Sequence, residues 1–110
     1  MAVADDVKAI FDAMPTQLNA DAAKGMDAVI QFKLSGDGGG DYYVEIKDGA
    51  AKVAQGTHAS PKMTMSLAAS DYVDLIAGKL NGQMAFMSGK LKIAGDMGMA
   101  MKMQTLFKRP

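Results

Sequence analysis

The feature that most constrains this chain is a repeated alternation of apolar and polar residues. A period of two places alternate side chains on opposite faces of a β-strand. A sheet of such strands has one apolar face, which other elements must cover. The alternation predicts five strands, whose apolar positions are Ile30, Phe32 and Leu34, then Tyr42, Val44 and Ile46, then a segment over residues 51–54, then Met63, Met65 and Leu67, and finally Leu91 and Ile93.

Glycine-rich segments separate the first three of these strands. Residues 35–40 include four glycines, which predicts a loop because glycine loses much conformational freedom in regular structure. The dipeptide Asp48-Gly49 favours the tight turn of a β-hairpin, in which both central residues have positive φ. We therefore expect the first three strands to be antiparallel neighbours.

Helical signatures precede and follow the strands. They predict a helix from Val3 to Pro15, a helical turn at residues 21–24, two short helices with Ser70 and Asn81 as N-caps, and a final helix over residues 96–107. Met84, Phe86 and Met87 are the apolar content of the fourth of these helices. Strands interrupted by helices, without strict alternation, indicate an α+β fold with helices covering one face of the sheet.

Length and charge limit the classes of function. The chain has 110 residues, which is the size of one domain, and 49% of them are hydrophobic. Twelve basic residues balance twelve acidic residues, so we expect no nucleic-acid partner. The sequence contains no cysteine, no signal-peptide pattern and no apolar run long enough to cross a membrane. These features favour a cytoplasmic protein.

The sequence offers little chemistry for catalysis. His58 is the only histidine, and no motif places a nucleophile and an orienting acid beside it, so we interpret it as a loop residue. One histidine and no cysteine exclude the zinc patterns, and we expect no metal and no cofactor. The glycine-rich segments depart from both the dinucleotide and the phosphate-loop motifs and are interpreted as turns. We expect a protein that is not an enzyme.

The eleven methionines are the most unusual part of the composition. Unbranched thioether side chains adapt to irregular apolar shapes, which suits a pocket for variable lipids. They also suit an exposed groove that docks a helix of a partner protein, here through the methionine-rich final helix. Composition alone does not decide between a lipid carrier and such an interaction module.

The last third of the chain resembles the sterol carrier protein 2 family. The matching features are an aspartate-rich helix ending in glycine-lysine (residues 70–79), glutamine-x-alanine-phenylalanine (83–86), glycine-lysine-leucine-lysine-isoleucine (89–93) and glycine-x-methionine-glycine-x-alanine-x-lysine (95–102). The resemblance extends over nearly the whole chain. It implies a five-stranded, mostly antiparallel sheet covered on one face by four to five helices that enclose a hydrophobic tunnel.

The resemblance also implies a function without chemistry by the domain itself. Fatty acids, fatty acyl-CoA, phospholipids or sterols are the expected ligands, and Gln83 corresponds to the family's pocket glutamine. We expect one lipid-binding domain over residues 1–110, acting as a monomer with at most transient membrane contact. The expected ligand-binding residues are Phe32, Gln83, Phe86, Met87, Met99, Met103 and Leu106.

The carboxyl terminus departs from the peroxisomal members of that family. They end in a serine-lysine-leucine-like tripeptide, whereas this sequence ends in Phe107-Lys108-Arg109-Pro110. We therefore expect no import into peroxisomes by that route, and we expect a free-standing cytoplasmic carrier.

Overall fold

The fold is a five-stranded sheet with helices packed on its apolar face. In the computed structural model, the described residues are 3–99. The helices are α1 (Val3–Gln17), α2 (Ala20–Ala23), α3 (Ala69–Ile76) and α4 (Gly82–Met87), and a final helix begins at Met97. The strands are β1 (Asp27–Ser35), β2 (Gly40–Lys47), β3 (Ala50–Gln55), β4 (Met63–Ala68) and β5 (Lys92–Gly95).

The strand order is β3-β2-β1-β4-β5. The register places Phe32 of β1 between Tyr42 of β2 and Met65 of β4, so the alternating apolar residues lie on one face. This confirms the α+β class and the mostly antiparallel sheet. One pair differs, since β1 and β4 are parallel. Alternation of side chains does not distinguish a parallel neighbour from an antiparallel one, because both have a period of two.

The predicted hairpin turn and one predicted helix cap are confirmed. Asp48 has φ of 51° and Gly49 has φ of 81°, as the tight hairpin turn between β2 and β3 requires. The Asn81 side chain caps α4 as predicted, by accepting hydrogen bonds from backbone amides. The Asn19 side chain caps α2 in the same way, although the sequence analysis did not single it out. The loop between β1 and β2 occupies residues 36–39, within the predicted segment.

Two predicted helix boundaries are wrong. The first helix continues past Pro15 to Gln17, and the Thr16 hydroxyl donates a hydrogen bond to the Ala13 carbonyl (2.7 Å). A proline near the carboxyl end of a helix removes one backbone donor but does not prevent one further turn. Ser70 is not the cap of α3, because β4 continues directly into the helix and Ala68 occupies the capping position without a side-chain acceptor.

A buried amide fixes the connection between β3 and β4. This connection crosses from one edge of the sheet to the far side of β1, over the face opposite α1 and α3. The Gln31 side chain donates hydrogen bonds to the carbonyls of Tyr42 and Gly56 (both 3.0 Å), and its oxygen accepts one from the His58 amide (2.8 Å). Gln31 is 1% exposed and its three partners are partly buried, so these bonds are partly shielded from water.

We expect Gln31→Leu to lower the free energy of unfolding by about 2–4 kcal/mol, because it leaves three partly buried backbone groups without these partners. Gln55→Leu is the matched control, since Gln55 is exposed and bonds only weakly to the Tyr42 hydroxyl (3.4 Å). The control should change stability by less than about 0.5 kcal/mol. Urea unfolding followed by circular dichroism measures both, and equal effects would contradict the role of Gln31.

Candidate functional site

The short helix α4 is held by its caps rather than by a buried face. The Asn81 carboxamide oxygen accepts hydrogen bonds from the amides of Gln83 (2.9 Å) and Met84 (3.1 Å). At the other end Gly89 adopts φ of 84°, which closes the helix. Ala85 is the buried residue of α4. The helix therefore keeps its shape while most of its side chains face water.

The apolar side chains of α4 are exposed. Met84 is 68% exposed, Phe86 43% and Met87 77%, and Gln83 is exposed as well. Ala85 faces the interior, and Gly82 lies against Leu75 so closely that a Cβ atom would be 3.3 Å from Leu75 Cδ1. Three of the predicted ligand-binding residues thus lie on one six-residue helix. Their role in binding stays a prediction.

Met99 lies in a different part of the molecule, at the start of the final helix. The Asp96 carboxylate caps this helix by accepting hydrogen bonds from the amides of Gly98 (2.9 Å) and Met99 (3.2 Å). Met99 is buried and lines a cleft of about 530 Å³. The residues of this cleft are Ala22, Lys24, Gly25, Met26, Asp27, Ala28, Lys62, Asp96, Gly98 and Met99.

The cleft is assembled by the parallel pair. Met26 precedes β1 and Lys62 precedes β4, and parallel strands begin at the same end of a sheet. The antiparallel strand β5 returns to this end, where the Asp96 amide donates a hydrogen bond to the Lys62 carbonyl (3.0 Å). Sequence reasoning missed Lys24, Met26 and Lys62, because their proximity depends on a strand direction that the alternation does not report.

The cleft combines apolar and charged groups. Met99 and Ala28 are buried and Met26 is half-buried, whereas Lys24 and Lys62 are exposed. Asp27 and Asp96 also lie at its exposed side. The lining is more polar than apolar, with two methionines beside four charged side chains. No residue of α4 lines this cleft.

Phe32 lies in an aromatic cluster under α1 and α3. Its ring centroid is 5.2 Å from that of Phe11 and 5.7 Å from that of Tyr72. Phe11 also stacks on Tyr42 at 4.2 Å. Burial raises the pKa of the Tyr72 phenol above its ordinary value. Phe32 is thus packed against protein side chains, and its contact with a ligand stays a prediction, while Met103 and Leu106 lie outside the described residues.

His58 has a structural role that the sequence did not reveal. Its Nδ1 atom accepts a hydrogen bond from the Ser60 amide (3.0 Å), and its ring meets the edge of Tyr43 at 5.3 Å between centroids. Its own amide is the donor to Gln31 described above. The residue therefore shapes the connection between β3 and β4.

The family is decided by comparison with known sequences. The model of the SCP-2 sterol transfer family matches residues 7–108. The chain belongs to this family. Membership supports lipid binding and transfer in general as the function of the domain, and it indicates a non-catalytic lipid-binding module. These comparisons give no support to the alternative of a protein-docking module.

Individual relatives agree with the family assignment. The hydroxysteroid dehydrogenase-like protein 2 of Xenopus laevis is 36% identical over 104 residues, which are 94% of this chain and 25% of that protein. The sterol carrier protein domain 2 of Helicoverpa armigera is 34% identical, with a TM-score of 0.70 over 90% of this chain and 80% of that one. Palmitated SCP2L2 of Aedes aegypti is 26% identical, with a TM-score of 0.71 over 94% and 91%.

The dehydrogenase-like relatives are much longer than this chain. The domain corresponds to about a quarter of their length, so a comparison with them concerns this module and not the whole protein. Within residues 3–99, no helix has the length and apolar content that crossing a bilayer requires.

The burial of Tyr72 predicts a loss of stability at high pH. An unfolded tyrosine releases its proton above about pH 10, whereas the native phenol keeps it, so the unfolded state binds fewer protons and is favoured as pH rises. The stability that Tyr72 contributes is therefore complete below about pH 10 and is lost above it. We expect the stability of the protein relative to Tyr72→Phe to fall by about 1.4 kcal/mol between roughly pH 9 and pH 11. Urea unfolding at both pH values checks this, and parallel pH dependences of the two proteins would refute it.

Proposed function

We propose that this domain binds one lipid molecule at a time and carries it through water. The proposed ligands are fatty acids, fatty acyl-CoA, phospholipids or sterols, and the proposed mechanism is burial of their apolar part without chemical change. The observation that carries the proposal is the match of the SCP-2 sterol transfer family to residues 7–108, and the structure adds a cleft in which Met26 and Met99 lie beside Lys24 and Lys62. The palmitated relative supports fatty acids as a ligand class.

The size and polarity of the cleft suit the charged end of an amphiphile and the first part of its acyl chain. Its volume of about 530 Å³ lies within the range of small-molecule sites, roughly 300–1,000 Å³. An acyl chain would contact Met26 and Met99, and a carboxylate would lie near the ammonium groups of Lys24 and Lys62. The carboxylates of Asp27 and Asp96 lie at the same rim and offset part of the attraction that the two lysines exert, which keeps the expected effect of these lysines small.

Hydrophobic burial is the main source of the expected affinity. Covering about 300 Å² of ligand at roughly 25 cal/mol per Å² contributes on the order of 7 kcal/mol before the costs of association are subtracted. Micromolar dissociation constants are therefore expected. Phe86 and Met87 of α4 add apolar surface that contact with a lipid would remove from water. The proposed ligand-binding residues remain Phe32, Gln83, Phe86, Met87, Met99, Met103 and Leu106.

The decisive test is a fluorescence titration of the delipidated protein with a polyene fatty acid. The chain has no tryptophan, so protein emission interferes little with the probe. We expect saturable one-to-one uptake, followed by displacement with palmitoyl-CoA, a phospholipid and cholesterol, which ranks the ligands. Folded protein that takes up no probe would refute the proposed function.

The two rim lysines should select for a negatively charged head group. We expect the double variant Lys24→Gln and Lys62→Gln to weaken palmitate binding by about fivefold, with little effect on hexadecanol, because only the carboxylate interacts with the removed charges. The double variant Lys8→Gln and Lys52→Gln removes the same charge from exposed positions of α1 and β3, outside the lining of the cleft, and serves as the control. Equal losses for acid and alcohol would contradict the assignment.

Gln83 should provide a polar contact to the ligand. We expect Gln83→Leu to weaken fatty acid or acyl-CoA binding by about five- to tenfold, which is the effect of one lost hydrogen bond. Gln83 is exposed, so the variant should fold, as circular dichroism can verify. Unchanged affinity for both ligands would remove Gln83 from the site.

A further inference from the structure

The methionines of residues 3–99 differ widely in their access to water. Met84 and Met87 of α4 are the most exposed of them, and Met97 is exposed to a smaller extent. Met26 is half-buried. The buried methionines, none of which is more than 8% exposed, are Met14, Met63, Met65 and Met99. Any reagent that attacks methionine from water therefore meets the two thioether groups of α4 first.

Thioether groups are the only sulfur groups of this protein, because the chain has eleven methionines and no cysteine. Exposed cysteine thiolates are common targets of peroxides, and here none competes with methionine. Hydrogen peroxide transfers one oxygen atom to a methionine sulfur. The sulfur is oxidised by two electrons to a sulfoxide, and the peroxide is reduced to water. Exposure of the sulfur is then what decides which methionines react.

The bonds that hold α4 do not involve its methionine side chains. The Ser88 amide donates a hydrogen bond to the Met84 carbonyl (2.9 Å). The amides of Lys90 and Leu91 both donate to the Ala85 carbonyl (2.9 and 3.1 Å). Ala85 and Leu91 are buried, so they anchor the helix and the segment that follows it. An oxygen atom added to an exposed sulfur leaves these contacts intact.

Oxidation changes the polarity of α4 instead of its shape. A thioether is apolar and pliable, whereas a sulfoxide is polar and carries an oxygen that accepts hydrogen bonds from water. Met84 and Met87 are three residues apart, so they lie on the same side of the helix. Two sulfoxides would make this side polar, while Met63 and Met65 of β4 remain apolar in the core.

We propose that Met84 and Met87 form a reversible oxidation site, at which peroxide weakens the binding of lipid by the domain. The proposal rests on the proposed function, in which Met87 adds apolar surface to the contact with the lipid. A sulfoxide at this position loses hydrophobic stabilisation of the bound lipid. Methionine sulfoxide reductases, one for each epimer of the sulfoxide, return the thioether and restore the binding.

The first test is the order in which the methionines are oxidised by hydrogen peroxide. Cleavage after lysine places Met63 and Met65 in the peptide 63–79 and the methionines of α4 in the peptide 80–90, so mass spectrometry follows them separately. We expect the peptide of α4 to be oxidised at least about tenfold faster, because buried side chains react only when the structure opens. Circular dichroism should show an unchanged fold at that stage. Equal rates for the two peptides, or unfolding as α4 is oxidised, would overturn the site.

The second test compares palmitate binding before and after oxidation. The peroxide is removed, and binding is measured by displacement of the polyene fatty acid. We expect oxidation of α4 to weaken binding by about tenfold, which corresponds to the loss of one buried methionine side chain. Treatment with both classes of methionine sulfoxide reductase should restore the original affinity.

Leucine variants show which methionines are responsible, since leucine is apolar and peroxide does not oxidise it. The affinity of the double variant Met84→Leu and Met87→Leu should be the same before and after peroxide, whatever its initial value. Met97→Leu is the matched control, because Met97 is exposed but lies outside α4 and outside the lining of the Met99 cleft. This control should remain as sensitive to peroxide as the unmodified protein.

The outcomes separate this proposal from the proposed function. Folded protein that takes up no lipid before peroxide is added would refute the proposed function, whereas the order of oxidation is measured without lipid. Lipid uptake that stays unchanged after α4 has been oxidised would overturn the oxidation site alone. An equal loss of affinity in the double leucine variant would overturn it as well, and so would a loss that the reductases do not reverse.

Discussion

The arrangement of the sheet depends on one buried carboxamide. β3 lies at an edge, and the chain has to cross the polar face to place β4 beside β1. Gln31 holds that crossing by bonding to both its first residue, Gly56, and its third, His58. The crossing makes β4 parallel to β1, and β4 then continues directly into α3. Gln31 therefore stabilises, from the opposite face, the connection that leads into β4 and α3.

The parallel pair also determines where the candidate site lies. Because β1 and β4 begin at the same end, the segments that precede them lie side by side, and β5 adds the start of the final helix. Lys24, Met26, Lys62 and Met99 are distant in sequence but border one cleft. Charged groups at exposed positions and thioether groups in the interior are thus combined by strand direction rather than by a local motif.

The sequence predicts the strands well and the parallel pair not at all. Alternation places Ile30, Phe32 and Leu34 on the buried face, and the structure agrees, because burial of one sheet face requires that pattern. The same pattern places Gln31 on the opposite face, where an amide normally meets water. Nothing in its neighbourhood along the chain shows that a distant loop covers it.

The candidate site is only partly readable from sequence for a similar reason. The family resemblance indicates α4 and Met99, and the structure gives both definite places, one on a capped surface helix and the other in a cleft. The resemblance did not indicate Lys24 and Lys62 at the rim of the cleft. Exposed lysines have no periodic pattern, and their neighbours are set by the path of the chain between strands.

The separate capping of α4 has an evolutionary consequence. Asn81, Ala85 and Gly89 maintain the helix, while Met84, Phe86 and Met87 contribute little to the core. The residues that keep α4 folded are therefore different from the residues whose exposed side chains can contact other molecules. Substitutions at the second group can alter what this helix contacts without compensation elsewhere in the fold, so this helix is a position where related domains can diverge rapidly.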